Sequence, residues 1–194
     1  DLLPENTAPS SLNIGFVGVG GGGNKLVNAF IELGFNKTIL VNTTGKDIPK
    51  NVSEEHVVLI PDSDGIGKNT DYGKEVLSQN GAIVEDALRI KLGKVDWLFV
   101  FAGGGGGTGS SVVSLHSVFE RYMRSVQAAG KIVYVVTWPT AQENLNPTIA
   151  RNALTLVNDV TKYPHIVLDN ERSTRLLRGR IGMLGMYPVA NTQF

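Results

Sequence analysis

Phe101-Ala102-Gly103-Gly104-Gly105-Gly106-Gly107-Thr108-Gly109-Ser110-Ser111 decides the fold. It follows the apolar run Trp97-Leu98-Phe99-Val100 and precedes residues 112–129, whose apolar spacing is helical. Five consecutive glycines between a strand and a helix are costly, because glycine loses the most backbone freedom on folding. A tight turn packing helix on sheet needs fewer of them. A backbone that comes very close to a ligand accounts for the rest. A helix start offers free N–H groups and the positive end of a dipole, which favours phosphate. Thr108 and Ser110 add hydroxyl donors.

The same arrangement recurs. Gly18-Val19-Gly20-Gly21-Gly22-Gly23-Asn24 follows Ile14-Gly15-Phe16-Val17 and leads into Lys25-Leu26-Val27-Asn28-Ala29-Phe30-Ile31, spaced as a buried helix face. Gly65-Ile66-Gly67-Lys68-Asn69-Thr70-Asp71-Tyr72-Gly73 precedes another helical pattern. Three such loops at strand-to-helix junctions point to one ligand carrying several phosphates.

Composition narrows the class. The 194 residues suffice for one substantial α/β domain. Formal net charge is zero, so direct nucleic-acid binding through a basic field is not expected. Cysteine is absent, which excludes disulfides and thiolate metal sites and agrees with a reducing cytoplasm. The histidines, His56, His116 and His165, lack metal-ligand spacing and read as structural. No apolar run approaches the roughly 20 residues of a membrane span. The chain starts with Asp1 rather than methionine and reads as an excerpt of a longer protein.

Patterning predicts strands at 13–18, 38–42, 56–60, 97–101, 131–137 and 165–168. It predicts helices at 24–33, 71–78, 82–92, 111–128, 147–160 and 171–178, and another starting near Met186 with Pro188 in its first turn. Gly34 is expected to stop the first helix and Gly130 the long one. Asn146-Pro147 reads as an N-cap followed by proline at the first helical position. Strands such as Ile132-Val133-Tyr134-Val135-Val136 are apolar on both faces, as a covered parallel sheet requires. The expected fold is a three-layer, doubly wound α/β domain with a mainly parallel sheet and its crevice at the strand carboxyl ends. Residues 1–11 read as a flexible leader and 12–185 as the domain.

Gly18-x-Gly20-x-x-Gly23 satisfies the dinucleotide fingerprint, but the second strand ends Ile39-Leu40-Val41-Asn42-Thr43-Thr44, without the acid that would hold a ribose hydroxyl. That reading also leaves 103–109 without a role. A Walker A loop is absent, since Gly67-Lys68 is followed by Asn69 and Asp62 stands where the first glycine belongs.

The chain resembles the nucleotide-binding half of the tubulin/FtsZ superfamily, in order, over most of residues 13–194. Gly105-Gly106-Gly107-Thr108-Gly109-Ser110 resembles the signature GGGTG[ST]G, with Ser111 in place of the last glycine. Gly18 to Gly23 resembles the first phosphate loop, and Gly65-x-Gly67-x-Asn69-x-x-x-Gly73 the loop that senses the γ-phosphate. Val41-Asn42-Thr43 resembles the end of the second strand. Val136-Thr137-Trp138-Pro139 with Glu143 resembles the loop whose acid holds the ribose. Asp169-Asn170 with Tyr187 and Asn191 resembles the guanine site.

The resemblance implies a GTP/GDP site with Mg²⁺. Its phosphates would be held by Gly20, Gly21, Gly22, Gly23, Asn24, Lys25, Asn42, Gly67, Lys68, Asn69, Gly104, Gly105, Gly106, Gly107, Thr108, Gly109 and Ser110. Its nucleoside would be held by Pro139, Glu143, Asn170, Tyr187 and Asn191. It also implies a cytoplasmic GTPase whose subunits stack head to tail into filaments. Residues 186–194 would begin a central helix leading to a second domain. An acidic loop beyond Phe194, supplied by the neighbouring subunit, would trigger hydrolysis, so no catalytic residue is expected in this chain. Division FtsZ normally carries arginine where Pro147 stands, alanine at Lys25, and phenylalanine and aspartate at Tyr187 and Asn191. These departures point away from a division FtsZ, while Ile39-Leu40-Val41-Asn42-Thr43 and the arginine-free loop after Pro139 resemble TubZ-like plasmid and phage tubulins, implying DNA positioning through an adaptor.

The residue chemistry agrees. Asparagine carries both a donor and an acceptor, so Asn170 and Asn191 match the guanine edge. Tyr187 precedes Asn191 by one helical turn and would stack on the base. Each residue has a plainer reading: Tyr187 as a core aromatic, Asn170 as an N-cap, Asn42 as a strand cap, Glu143, Asp47, Asp62 and Asp64 as solvated loop acids, and Lys25 and Lys68 as solvated lysines. One of the aspartates would reach a metal through water. A division FtsZ-type protein, a non-polymerising nucleotide-binding regulator, a nicotinamide dehydrogenase and a structural protein with a degenerate site remain as alternatives.

Overall fold

The computed structural model describes residues 12–61 and 65–171. The predicted leader, Asp62, Asp64, Tyr187, Asn191, the predicted helix 171–178 beyond Glu171, the predicted helix near Met186, and the end of the predicted domain lie outside these residues. Six strands form one parallel sheet: β1 (Ile14–Val19), β2 (Thr38–Asn42), β3 (Val57–Leu59), β4 (Trp97–Gly103), β5 (Ile132–Trp138) and β6 (His165–Asp169), in the order β3-β2-β1-β4-β5-β6. The helices are α1 (Gly20–Glu32), α2 (Thr70–Gln79), α3 (Gly81–Ala87), α4 (His116–Ser125) and α5 (Pro147–Val160). This is the doubly wound α/β fold that the sequence predicts.

Alternation along the strands supplies both helical layers. Phe16, Phe101 and Val135 face α1, where they pack with Leu26, Val27 and Phe30. Phe16 and Phe30 stack with ring centroids 4.4 Å apart. Val17, Val19, Val100, Tyr134 and Val136 face the other way, against Leu77 of α2, Val84 of α3, Phe119 of α4 and Leu156 of α5. On this second face, burial pushes the phenol pKa values of Tyr122 and Tyr134 above their usual range.

Three element ends differ from the sequence reading. α1 begins at Gly20, inside the glycine run, because the missing side chains let its first turn settle directly on β4. The predicted long helix divides into a tight 3₁₀ segment, Gly109–Leu115, followed by α4. Ser110 and Ser111 bond back to the carbonyls of Gly106 and Gly107, and such side-chain competition tightens a helix start. α4 also ends before Gly130: Ser125 Oγ donates to Tyr122 O at 2.6 Å, and Gln127 already has a φ of 61°. Downstream of α3 the chain widens into a π turn, Leu88–Leu92, that buries both of its leucines.

Candidate nucleotide site

Strand order reverses between β1 and β4, the switch point where a parallel sheet opens a crevice at its carboxyl edge. Both glycine runs leave the sheet there, side by side, with Val19 paired to Ala102. They are packed against each other: a Cβ on Gly22 would stand 3.1 Å from Gly103 Cα. Gly20, at φ +75°, comes so close to the second run that a Cβ would lie 2.7 Å from Gly109 N. A Cβ on Gly107 would lie 2.8 Å from Gly67 O. Most of these glycines therefore serve contact between backbones. Gly106 is different. It is exposed, and a Cβ there would meet nothing within 4 Å.

A cleft of about 540 Å³ opens over Gly106, within the size range of small-molecule sites. A recess of about 260 Å³ adjoins it, sharing Gly21, Gly106 and Gly109. Of the predicted site residues, Gly21, Gly22, Lys25, Lys68, Gly104, Gly105, Gly106, Gly109, Pro139, Glu143 and Asn170 line the cleft. Gly20, Asn42, Gly67, Gly107 and Thr108 line the recess. Four others stand behind this lining. Gly23 seats α1 on β4. Asn24 is fully buried, with neither side-chain polar atom hydrogen-bonded. Asn69 caps α2 by accepting from Tyr72 N at 3.0 Å. Ser110 is buried beside Thr70 Oγ1 at 2.8 Å.

The recess and the neighbouring cleft wall offer donors. No side chain caps α1, so its first N–H groups are open to an anion. Asn42 is buried; its Oδ1 accepts from Thr43 N and Thr44 N, while its Nδ2 has no hydrogen-bond partner. An unpaired buried amide donor is costly unless a ligand oxygen meets it. Lys25 and Lys68 add positive charge at the cleft wall. Mg²⁺ in such sites is held mainly by phosphate oxygens and water, with one or two carboxylates. Asp47 fits that role: it lines the recess, and Gly21 on α1 packs against it. Among the described residues no cluster of three metal-binding side chains provides a protein cage.

The opposite end is more open. Glu143 is exposed and partly engaged in its own loop, accepting from Thr140 N at 3.2 Å while Thr140 Oγ1 accepts from Glu143 N. Asp169, not Asn170, takes the capping bond from Glu171 N, at 2.8 Å, and Asn170 borders the cleft.

Sequence reasoning left several lining residues unassigned. Thr137 lies one residue before the end of β5, paired with Gly103, within a motif noticed for its proline and acid. Ile149 lines the cleft from the first turn of α5. Lys46 and Thr44 line the recess. The most informative omission is Asn152. It is the polar residue on the otherwise apolar buried face of α5, with Ala153, Leu156 and Val160, and that pattern break was available in the sequence.

Residues 13–177 match the Tubulin/FtsZ family, GTPase domain, and the chain belongs to this family. Its curated relatives include cell division protein FtsZ 1 of Pyrococcus furiosus, 29% identical over 163 residues that cover 80% of this chain and 41% of the relative. Among solved structures, CetZ from Methanosaeta thermophila superposes with a TM-score of 0.72 at 23% identity, covering 94% of this chain and 51% of that one. The GTPγS-form protofilament of TubZ from Bacillus thuringiensis serovar israelensis gives 0.66 at 19%, covering 87% and 51%. These structural likenesses establish the fold. The chain spans about half the length of the relatives it matches. Among the described residues no helix is long and apolar enough to cross a membrane.

Proposed function

We propose that this chain is the GTP-binding part of a GTP-hydrolysing protein that assembles head to tail into filaments. The convergence of the glycine loops on Gly106, at the switch point, supports this most. The α1 N-terminus, the Gly106 N–H, Asn42 and the two cleft lysines take the phosphates. Glu143 takes the ribose, and Asn170 takes the base together with Tyr187 and Asn191. Mg²⁺, when bound, offsets phosphate charge. Hydrolysis also needs a positioned water and a group to orient it. Among the described residues the carboxylates lining the cleft and recess, Glu143 and Asp47, already have roles in this reading. The resemblance to the tubulin/FtsZ superfamily implies that the next subunit supplies this group, which makes turnover depend on assembly. A TubZ of the same fold is known as a protofilament, which supports self-association.

In the full-length protein, GTP hydrolysis per subunit should rise steeply with protein concentration, in step with filaments seen by electron microscopy. Turnover independent of concentration would place a catalytic group inside the subunit and end the assembly reading. Calorimetry should show GTP bound far more tightly than ATP, with Asn170→Ala weakening GTP about tenfold. Equal affinity for the two nucleotides removes the guanine assignment.

For the finer role, Pro147 and Lys25 favour TubZ-like positioning of plasmid or phage DNA, linked by an adaptor. The 29% identity to a cell division protein favours the division role instead. Filaments that capture DNA through a co-purifying adaptor support the first reading; a ring at the division site supports the second.

A further inference from the structure

Asn152 holds two segments of the cleft wall at once, through three residues. It lies on α5, 4% exposed. Its Nδ2 donates to Lys68 O at 2.9 Å and to Gly105 O at 3.2 Å. Its Oδ1 accepts from Thr70 Oγ1 at 2.9 Å. The amide cannot be turned over: two carbonyl oxygens face one end, and only a donor satisfies them. Both amide protons are thus used, one on each loop.

Backbone geometry gives this clamp a consequence at the ligand. In a planar trans peptide the C=O and the next N–H point in opposite directions. With the Gly105 carbonyl held toward Asn152, the Gly106 N–H is turned away from α5. Among the described residues that N–H makes no hydrogen bond, and Gly106 is the glycine whose front is open to the cleft. The Lys68 carbonyl is held off the cleft by the same amide. Without Asn152, two carbonyl oxygens would be free to swing toward the ligand, and their negative ends oppose an anion.

We propose that Asn152 is the positioning residue of the phosphate cradle, fixing the Gly105–Gly106 peptide with its donor toward the ligand. This rests on reading the cleft as a nucleotide site. It assigns α5 a part in phosphate binding although no α5 side chain need touch the phosphates.

The test compares ligands with and without phosphate in the full-length protein, using GTP, GDP and guanosine as probes. Asn152→Leu should weaken GTP and GDP tenfold or more while changing guanosine affinity less than twofold. Thr70→Val removes the bond to Oδ1 but leaves both carbonyl clamps, and should weaken GTP less than threefold. If Asn152→Leu does not fold, Asn152→Ala answers the same question. It removes the donors without adding bulk or charge, and should give the same phosphate-selective loss. Equal loss for guanosine and GTP, or wild-type GTP affinity in either folded Asn152 variant, overturns the proposal while leaving the nucleotide site standing. If the wild-type protein binds no guanine nucleotide, the proposal falls together with the site.

Discussion

α1 and α5 both begin at the cleft, and they begin differently. At α5 the chain satisfies itself. Asn146 Oδ1 accepts from Thr148 N at 2.9 Å and Ile149 N at 3.4 Å, and Pro147 has no N–H to place. At α1 nothing is supplied. Val19 flanks the helix, no side chain caps it, and its first turn is glycine with no acidic residue. A helix start leaves several N–H groups without intrahelical partners. The protein answers that need with its own asparagine where no phosphate is expected, and leaves it unanswered where an anion fits. An open helix start can be read as a site here because Gly106, Lys25, Lys68 and the unpaired Asn42 amide stand around it.

The most damaging way to break the open end is to give α1 a side chain where it meets the sheet. A Cβ on Gly23 would fall inside the carbonyl of Phe101, on the backbone of β4. Neither a central strand nor the helix resting on it can yield cheaply. Gly23→Ala should cost about 3 kcal/mol or more and leave little soluble protein. A native melting temperature would show that α1 does not depend on this contact.

Gly106→Val attacks function without attacking the fold. Its side chain enters open space in the cleft, and Gly106 is not among the positive-φ residues. Thermal stability should stay within about 0.5 kcal/mol of wild type, while GTP and GDP binding disappears in calorimetry. Normal GTP affinity in this variant would mean that phosphates do not lie over the second glycine run.

These two substitutions also mark what the sequence made legible. Strand positions, the helices of the described residues, the Asn146 cap and a crevice at the strand carboxyl ends follow from periodicity and punctuation. The division of labour among the glycines does not. Gly23, Gly106 and Gly107 look alike in sequence, and only the packing of α1 on β4, and of residues 65–69 on the second run, separates structural glycines from a cleft-facing one. The same holds for the serines. Ser110 read as a phosphate donor, yet its hydroxyl is bound to Gly106 O and lies beside Thr70. Asn69 likewise is engaged as the cap of α2. Asn152 was missed because its partners are two loops more than forty residues away along the chain.

The mildest test concerns the closed end. Asn146→Ala removes an acceptor shared by two N–H groups of α5. Losing such a cap costs about 1 kcal/mol, which for a domain of this size lowers the thermal midpoint by about 2–4 °C. The newly orphaned N–H groups are solvent-exposed and can hydrogen-bond to water, so the helix should survive. Ile149 continues to pack near Gly105 at the cleft edge, and the amide of Asn152, further along α5, still grips both carbonyls. GTP affinity should therefore change by less than about threefold, the low end of one hydrogen bond's free-energy range. If Asn146→Ala instead weakens GTP as severely as Gly106→Val, the start of α5 is itself part of the phosphate cradle. The contrast between a self-satisfied helix and an open one would then have to be abandoned.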